Sequence, residues 1–160
     1  MKSISIPRKH ISLVLIAFLL ITFGNCSSPA GATITKYAAA VQFRNDYIPV
    51  YNKIMTFTSA TKKWNSHTSN STVSKAADPL ISGLLAFQKK LLNQSWPKNT
   101  QADIKTLIQT LSPMEGVLFT LSANASQLQY DWLTSFSSSF LTFASAVRTV
   151  EKDLGLVSPN

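Results

Sequence analysis

The chain has 160 residues, of which 45% are hydrophobic and 14% are charged. This length and apolar content suit one compact domain and exclude disorder throughout the chain. The formal net charge is +8, but Lys2, Arg8 and Lys9 precede the first apolar segment. The other basic residues are dispersed from Lys36 to Lys152. A nucleic-acid footprint concentrates such residues on one face, so we expect no nucleic-acid partner, and at most a weak attraction to anionic wall polymers or lipid headgroups.

The first 25 residues have the layout of a signal peptide. Basic residues within Met1–Lys9 are followed by 13 almost unbroken apolar positions over Ile11–Phe23. A membrane-spanning helix needs about 20 apolar residues to cross roughly 30 Å of hydrocarbon, so this run is short for a span. We therefore expect residues 1–25 to be a cleaved export signal rather than a retained anchor.

The only cysteine, Cys26, lies just after the apolar run. Its position resembles the lipobox of bacterial lipoproteins, in which the thiol receives a diacylglyceryl group, the chain is cut before the cysteine, and the new amino terminus can be acylated, for example with palmitate. Lipoboxes favour a small residue before the cysteine and an aliphatic one three before it, whereas this chain has Asn25 and Phe23. Lipidation would give an otherwise unpaired thiol a use.

Residues 26–33 would then form the lipidated cysteine and a short flexible tether containing Pro29 and Gly31. The protein would be held on the outer face of the cell membrane. A competing cleavage site follows the Ala-x-Ala pattern of Ala30–Ala32. Cleavage there would release a secreted protein that begins at Thr33, and this alternative stays open.

Residues 34–160 predict an all-α fold, an antiparallel up-down-up-down four-helix bundle. Helix one is expected from Ile34 to near Thr61, capped by Thr33 or Thr35, with Pro49 kinking or splitting it. Apolar residues spaced four, seven, three and four apart are expected on its buried face: Tyr37, Val41, Ile48, Tyr51 and Met55.

The polar segment Lys62–Ser74 predicts the connection to helix two, which we expect from about Thr72 to Asn93. Pro79 would kink this helix or mark its effective start, and Trp96-Pro97 would terminate it. Its predicted core positions alternate by four and three: Val73, Ala77, Leu80, Leu84, Phe87 and Leu91.

Helix three is expected over Thr100–Ser122, capped by Asn99 or Thr100 and interrupted only by Pro113 and Gly116. Its predicted core positions are Ile104, Leu107, Leu111, Met114, Leu118 and Leu121. Helix four is expected over Ser126–Leu154, with Gly155 as its C-cap. Its apolar positions are Leu128, Trp132, Phe136, Phe140, Phe143, Val147, Val150 and Leu154.

The large aromatic residues of helix four have two interpretations. At heptad spacing they are typical of core packing, which we favour. Alternatively, they line a slot for a small apolar ligand together with one residue of helix one. The candidate lining residues are Tyr51, Trp132, Phe136, Phe140 and Phe143.

The sequence contains few residues suited to catalysis or metal binding. The two histidines are His10 in the leader and His67 in a polar loop, and neither Glu115 nor Glu151 has a histidine three residues on. Paired carboxylates could in principle come from Asp131, Glu115, Glu151 and Asp153, but surface solvation is the ordinary expectation for them. With one cysteine and five glycines, we predict no catalytic activity, no cofactor and no metal site.

Part of the second half resembles a loose group of uncharacterised actinobacterial lipoproteins with an all-helical mature domain. The similar segments are Trp96–Pro97, Gln101–Asp103, Ala146–Arg148, Asp153–Leu156 and Pro159. Group members read Val-Arg-x-Asp-Leu-Gly-Leu-Pro, whereas this chain has a longer interval after the arginine. The resemblance implies export, lipidation and a helical fold, and it implies no activity.

Two functions stay open at this point. The first is a non-enzymatic interaction or accessory module of the cell envelope, with an envelope protein or wall polymer as its partner. The alternative is a carrier or sensor of a small apolar ligand bound in the bundle core.

Overall fold

The computed structural model describes residues 34–65, 67–124 and 131–156. Regular structure in these ranges is helical: α1 (Lys36–Thr61), α2 (Asn70–Asn93), α3 (Gln101–Ala123) and α4 (Trp132–Leu154). The predicted leader, Cys26 and the tether lie outside the described residues, as does the predicted first turn of helix four around Leu128. Within the described ranges, none of the helices is both long and apolar enough to cross a bilayer.

Successive helices pack side by side in opposite directions. Lys90, near the end of α2, binds Asp46 in the first half of α1. Ser74, near the start of α2, donates a hydrogen bond to the carbonyl of Ser122 at the end of α3. The ring of Trp132 at the start of α4 contacts a residue near the end of α1. These contacts, with the α3–α4 packing, confirm the predicted all-α bundle of four antiparallel helices.

The core is built from one apolar face of each helix. In α2 and α3 every predicted core residue is buried. In α4 two predicted residues, Trp132 and Phe140, are only half-buried. The buried ones are Phe136, Phe143, Val147, Val150 and Leu154. All core side chains lie between Ala39 and Leu154, and residues 33–160 form one compact unit. This unit therefore has its own core, which is what a domain needs to fold without the preceding segment.

The prediction of which face of α1 is buried is wrong. All five residues expected in the core are exposed, with exposed fractions between 41% and 80%. The face that packs inward lies about a third of a turn away and consists of Ala39, Ala40, Phe43, Val50, Ile54 and Phe57. The inward face carries no polar side chain, so its burial leaves no side-chain hydrogen bond unmade, and the two tyrosines outside keep their hydroxyls in water.

Side-chain caps set the start of three helices. The hydroxyl of Thr35 accepts from the Ala38 amide at 3.2 Å, as one of the two predicted caps of α1. Ser69 caps α2 in the same way, so this helix begins two residues before the predicted Thr72. Asp131 caps α4.

The other predicted caps and helix-breaking prolines are confirmed only in part. Thr100 precedes α3, but its side chain makes no capping bond. Gly155 has a φ of 76° and directs its amide to carbonyls of the last turn of α4, which confirms it as the C-cap. Both Pro49 and Pro79 lie inside continuous helices, so neither proline splits its helix.

Candidate functional site

The five candidate lining residues lie along the interface of α1 and α4. Phe136 and Phe143 are buried, Trp132 and Phe140 are half-buried, and Tyr51 is 43% exposed. The structure therefore brings these side chains to one side of the bundle. They form a row that runs from the core to the surface.

Rings from α1 fill the space between these residues. Phe57 lies 5.1 Å from Phe136 between ring centroids, and Tyr47 lies 6.2 Å from Phe143 and 6.1 Å from Tyr51. Trp64, which follows α1, lies 5.8 Å from Trp132. All these distances are typical of directly packed aromatic pairs. The rings thus pack mainly against one another.

The sequence interpretation missed Tyr47 and Phe57 because it placed the wrong face of α1 inward. It missed Trp64 because that residue lies in the segment assigned to the polar connection after α1. Phe43 and Phe57 are 14 residues apart, which is close to four helical turns. With Val50 midway between them, this spacing is the signal that could have identified the buried face.

The five misassigned residues form the most extensive apolar feature on the surface of α1. We call Tyr37, Val41, Ile48, Tyr51 and Met55 the α1 stripe. Their spacing of four, seven, three and four residues keeps them on one helix face, with Arg44 at the vacant heptad position. α1 is therefore apolar on two faces, and only one of them is covered by the bundle.

The α1 stripe borders the least extensive of the packed helix interfaces, that between α1 and α4. Glu151 marks the side of α4 that faces α1, because its charge acts on Tyr47 and Arg44. Leu133 and Phe140 precede Glu151 by 18 and 11 residues, close to whole numbers of turns, and so share that side. Leu133 is 55% exposed. Apolar surface thus continues from α1 onto α4.

A groove of about 750 Å³ lies where the start of α1 meets the end of α4. We call it the amino-terminal groove; its lining residues are Lys36, Tyr37, Ala40, Val41, Arg44, Asn45, Leu154, Gly155 and Leu156. Its charged lining residues, Lys36 and Arg44, are both cations. The groove therefore combines apolar walls with positive charge.

Two ionisable groups at the α1–α4 interface are partly shielded from water. Burial raises the pKa of Tyr47 to about 12, helped by the charge of Glu151 and by Tyr51. Burial also raises the pKa of Glu151, and the guanidinium groups of Arg44 and Arg148 offset part of that effect. The neutral phenol of Tyr47 is thus the favoured form at the α1–α4 interface.

Elsewhere in the bundle one pair of carboxylates meets: Asp153 of the candidate set contacts Asp103. A hydrogen bond to Asp153, followed by burial, raises the pKa of Asp103 at the α3–α4 interface. Glu115 is 8% exposed, burial raises its pKa, and its Oε1 has no hydrogen-bond partner. Residues 34–65, 67–124 and 131–156 contain no group of three or more His, Cys, Asp or Glu side chains placed to hold a metal ion.

A second, smaller groove of about 420 Å³ lies between α3 and the start of α4. Its lining residues are Pro113, Gly116, Val117, Thr120, Leu121, Asp131, Trp132 and Ser135. Only Trp132 belongs to the predicted lining set. Most of that set therefore lies outside this groove.

Comparison of the chain with known protein families, curated proteins and solved structures finds no match. The interpretation of function accordingly depends on the surface described above.

Proposed function

We propose that the chain is an exported lipoprotein of the bacterial cell envelope, lipidated at Cys26, whose bundle binds another envelope component and catalyses no reaction. The observation that carries the binding role is the α1 stripe. An extended apolar surface on a helical bundle marks an interaction site, because water disfavours its exposure. A helix of a partner can lie along such a heptad-spaced face.

The proposed anchor is supported by the sequence order of basic segment, apolar run and single cysteine. Cys26 precedes the Thr35 cap by nine residues. A chain of that length extends at most about 30 Å. The anchor would therefore keep the first turn of α1 close to the membrane, where an envelope component can reach the stripe.

The binding role is tested by photocrosslinking in intact cells. A photoreactive amino acid at Met55 lies on the α1 stripe, and one at Phe119 on α3 has similar exposure and serves as the matched control. We expect Met55 to yield a discrete crosslinked envelope component that Phe119 does not. Equal patterns from both positions, or none from Met55, would reject the α1 stripe as the binding surface.

The anchor is tested separately by intact mass and membrane partition of the wild type and Cys26→Ala. We expect a mature chain that begins at Cys26 and carries acyl mass, both lost in the variant. An unmodified chain that begins at Thr33 would establish the secreted form and contradict the anchor.

Carriage of a small apolar ligand is the second candidate. The observation in its favour is that the aromatic row reaches the surface through half-buried Trp132 and Phe140. Native mass spectrometry of the purified domain would then show a bound ligand, lost in Phe140→Ser but retained in the surface variant Phe119→Ser. A domain that never carries a ligand would exclude this candidate.

A further inference from the structure

The amino-terminal groove has a composition that differs from the rest of the α1 stripe. Within one turn of Tyr51 and Met55, their face of α1 carries no charged residue, whereas Tyr37 and Val41 are bordered by the cations Lys36 and Arg44. Tyr37 is the most exposed large apolar residue of the described chain, at 80%. An apolar tip flanked by positive charge suits a boundary between hydrocarbon and anionic groups.

We propose that the amino-terminal groove docks the bundle on an anionic lipid surface, with Tyr37 and Val41 entering the interface and Lys36 and Arg44 facing the headgroup phosphates. The tyrosine ring is apolar while its hydroxyl is polar, which favours the headgroup level of a bilayer. Lysine and arginine near an anionic surface each add to the attraction.

The end of α4 helps to place the cations. A Cβ built on Gly155 would lie 3.7 Å from the Lys36 Nζ, so the Lys36 side chain crosses from α1 towards the last turn of α4. That turn carries the negative end of the helix dipole, which favours an ammonium group there. Lys36 and Arg44 are two turns apart on α1 and thus border the same groove.

Membrane docking agrees with the place where the chain enters the bundle. The groove lies at the first turns of α1, immediately after the tether that follows Cys26. In this respect the docking inference rests on the proposed lipid anchor. The opposite end of α1, with exposed Lys62 and Lys63, is roughly 26 Å along the helix axis from Asn45, the last α1 residue that lines the groove.

A second copy of the chain fits this groove less well. A symmetric contact through this groove would gather four cations, Lys36 and Arg44 of each copy, in one interface, and like charges disfavour such an interface. An anionic bilayer meets both the apolar and the cationic parts of the groove. The lipid surface is therefore the occupant that the charges favour.

The test uses the domain that begins at Thr33, which has its own core and no anchor. We expect it to sediment with vesicles of equal parts phosphatidylglycerol and phosphatidylcholine, and much less with pure phosphatidylcholine. Added salt should weaken the binding, because surface charges are screened. Lys36→Glu with Arg44→Glu should reduce the partition constant more than about tenfold, since two attractive charges become repulsive.

The matched control is Lys62→Glu with Lys63→Glu, which changes the net charge equally at the other end of α1. We expect this variant to lose no more than about threefold, because long-range attraction falls with distance. A second variant, Tyr37→Ser with Val41→Ser, should reduce binding while leaving the charge unchanged. Circular dichroism of each variant verifies that the bundle is folded.

Three outcomes overturn the docking proposal. The domain fails to bind the anionic vesicles; or the control charge pair weakens binding as much as the groove pair; or the groove variants change the oligomeric state in sedimentation equilibrium and leave vesicle binding intact. The mass measurement on Cys26 is independent of all three. A failed docking proposal is thus distinguishable from a failed anchor.

Discussion

The two apolar faces of α1 have the same helical spacing but opposite environments. One face carries Phe43, Val50 and Phe57 into the core, and the other carries the α1 stripe to the surface. The inward face has phenylalanines and small alanines, while the outward face has tyrosines. A periodic apolar pattern therefore identifies a helix, and side-chain size and polarity decide which of two such faces is covered.

Among substitutions on the two faces of α1, that of Phe43 should have the largest effect on the free energy of unfolding. Its fully buried ring packs 6.1 Å from Phe87 and 6.2 Å from Trp96. Phe43→Ala should lower the free energy of unfolding by about 3–5 kcal/mol, because transfer energy is lost and a cavity remains. Urea denaturation of the purified domain measures this change. Val41→Ala on the other face is the control, and an equal loss there would contradict the assigned faces.

The sequence predicted the other three helices well for a physical reason. Each of α2, α3 and α4 has one continuous apolar face. The spacing of apolar residues such as Leu84, Leu111 and Val147 therefore allows one assignment of the buried face. α1 has two apolar faces, and spacing alone cannot decide which of them is buried. The prediction of the candidate site was the least accurate, because it assigned the α1 stripe to the core and omitted the rings of Tyr47 and Phe57.

Pro49 lies between the two faces, after Ile48 of the α1 stripe and before buried Val50. Inside α1 it removes a backbone hydrogen bond and crowds the preceding turn. Pro49→Ala should raise the free energy of unfolding by about 1–2 kcal/mol, since the gain in the helix exceeds the added entropy of the unfolded chain. Thermal unfolding followed by circular dichroism measures the gain.

A suitable control is Pro97→Ala, at a buried position after α2. Proline fixes the turn there, so its loss should lower stability rather than raise it. If Pro49→Ala destabilised the domain as well, the proline would be needed to hold the two faces in their present directions.

Tyr47 also separates the two faces, and it should make stability depend on pH. Its pKa is raised to about 12 in the folded state, against about 10 in an unfolded chain. The neutral phenol is therefore favoured by folding, and its contribution is complete below pH 10 and is lost as the pH rises towards 12. Because the ring is only partly buried, solvent screening limits the loss to about 1 kcal/mol.

Denaturation at a series of pH values tests this expectation with Tyr47→Phe, which should lose less stability than the wild type over the same window. Tyr37→Phe removes a hydroxyl from the exposed stripe instead and is the matched control. Identical slopes for the wild type and Tyr47→Phe would show that the phenol is not held neutral by the α1–α4 interface.

The smallest expected effect on stability is at the middle of the α1 stripe. Ile48→Ser and Met55→Ser should each change the free energy of unfolding by no more than about 0.5 kcal/mol, because nearly half of each residue is already exposed to water. Ile54→Ser, one residue from Met55 but fully buried, should cost several times more. Chemical denaturation of the three variants gives the comparison directly. A large loss of unfolding free energy in Ile48→Ser would mean that the stripe stabilises the bundle itself. Normal stability together with a loss of crosslinking from the stripe would mean that its apolar side chains bind a partner.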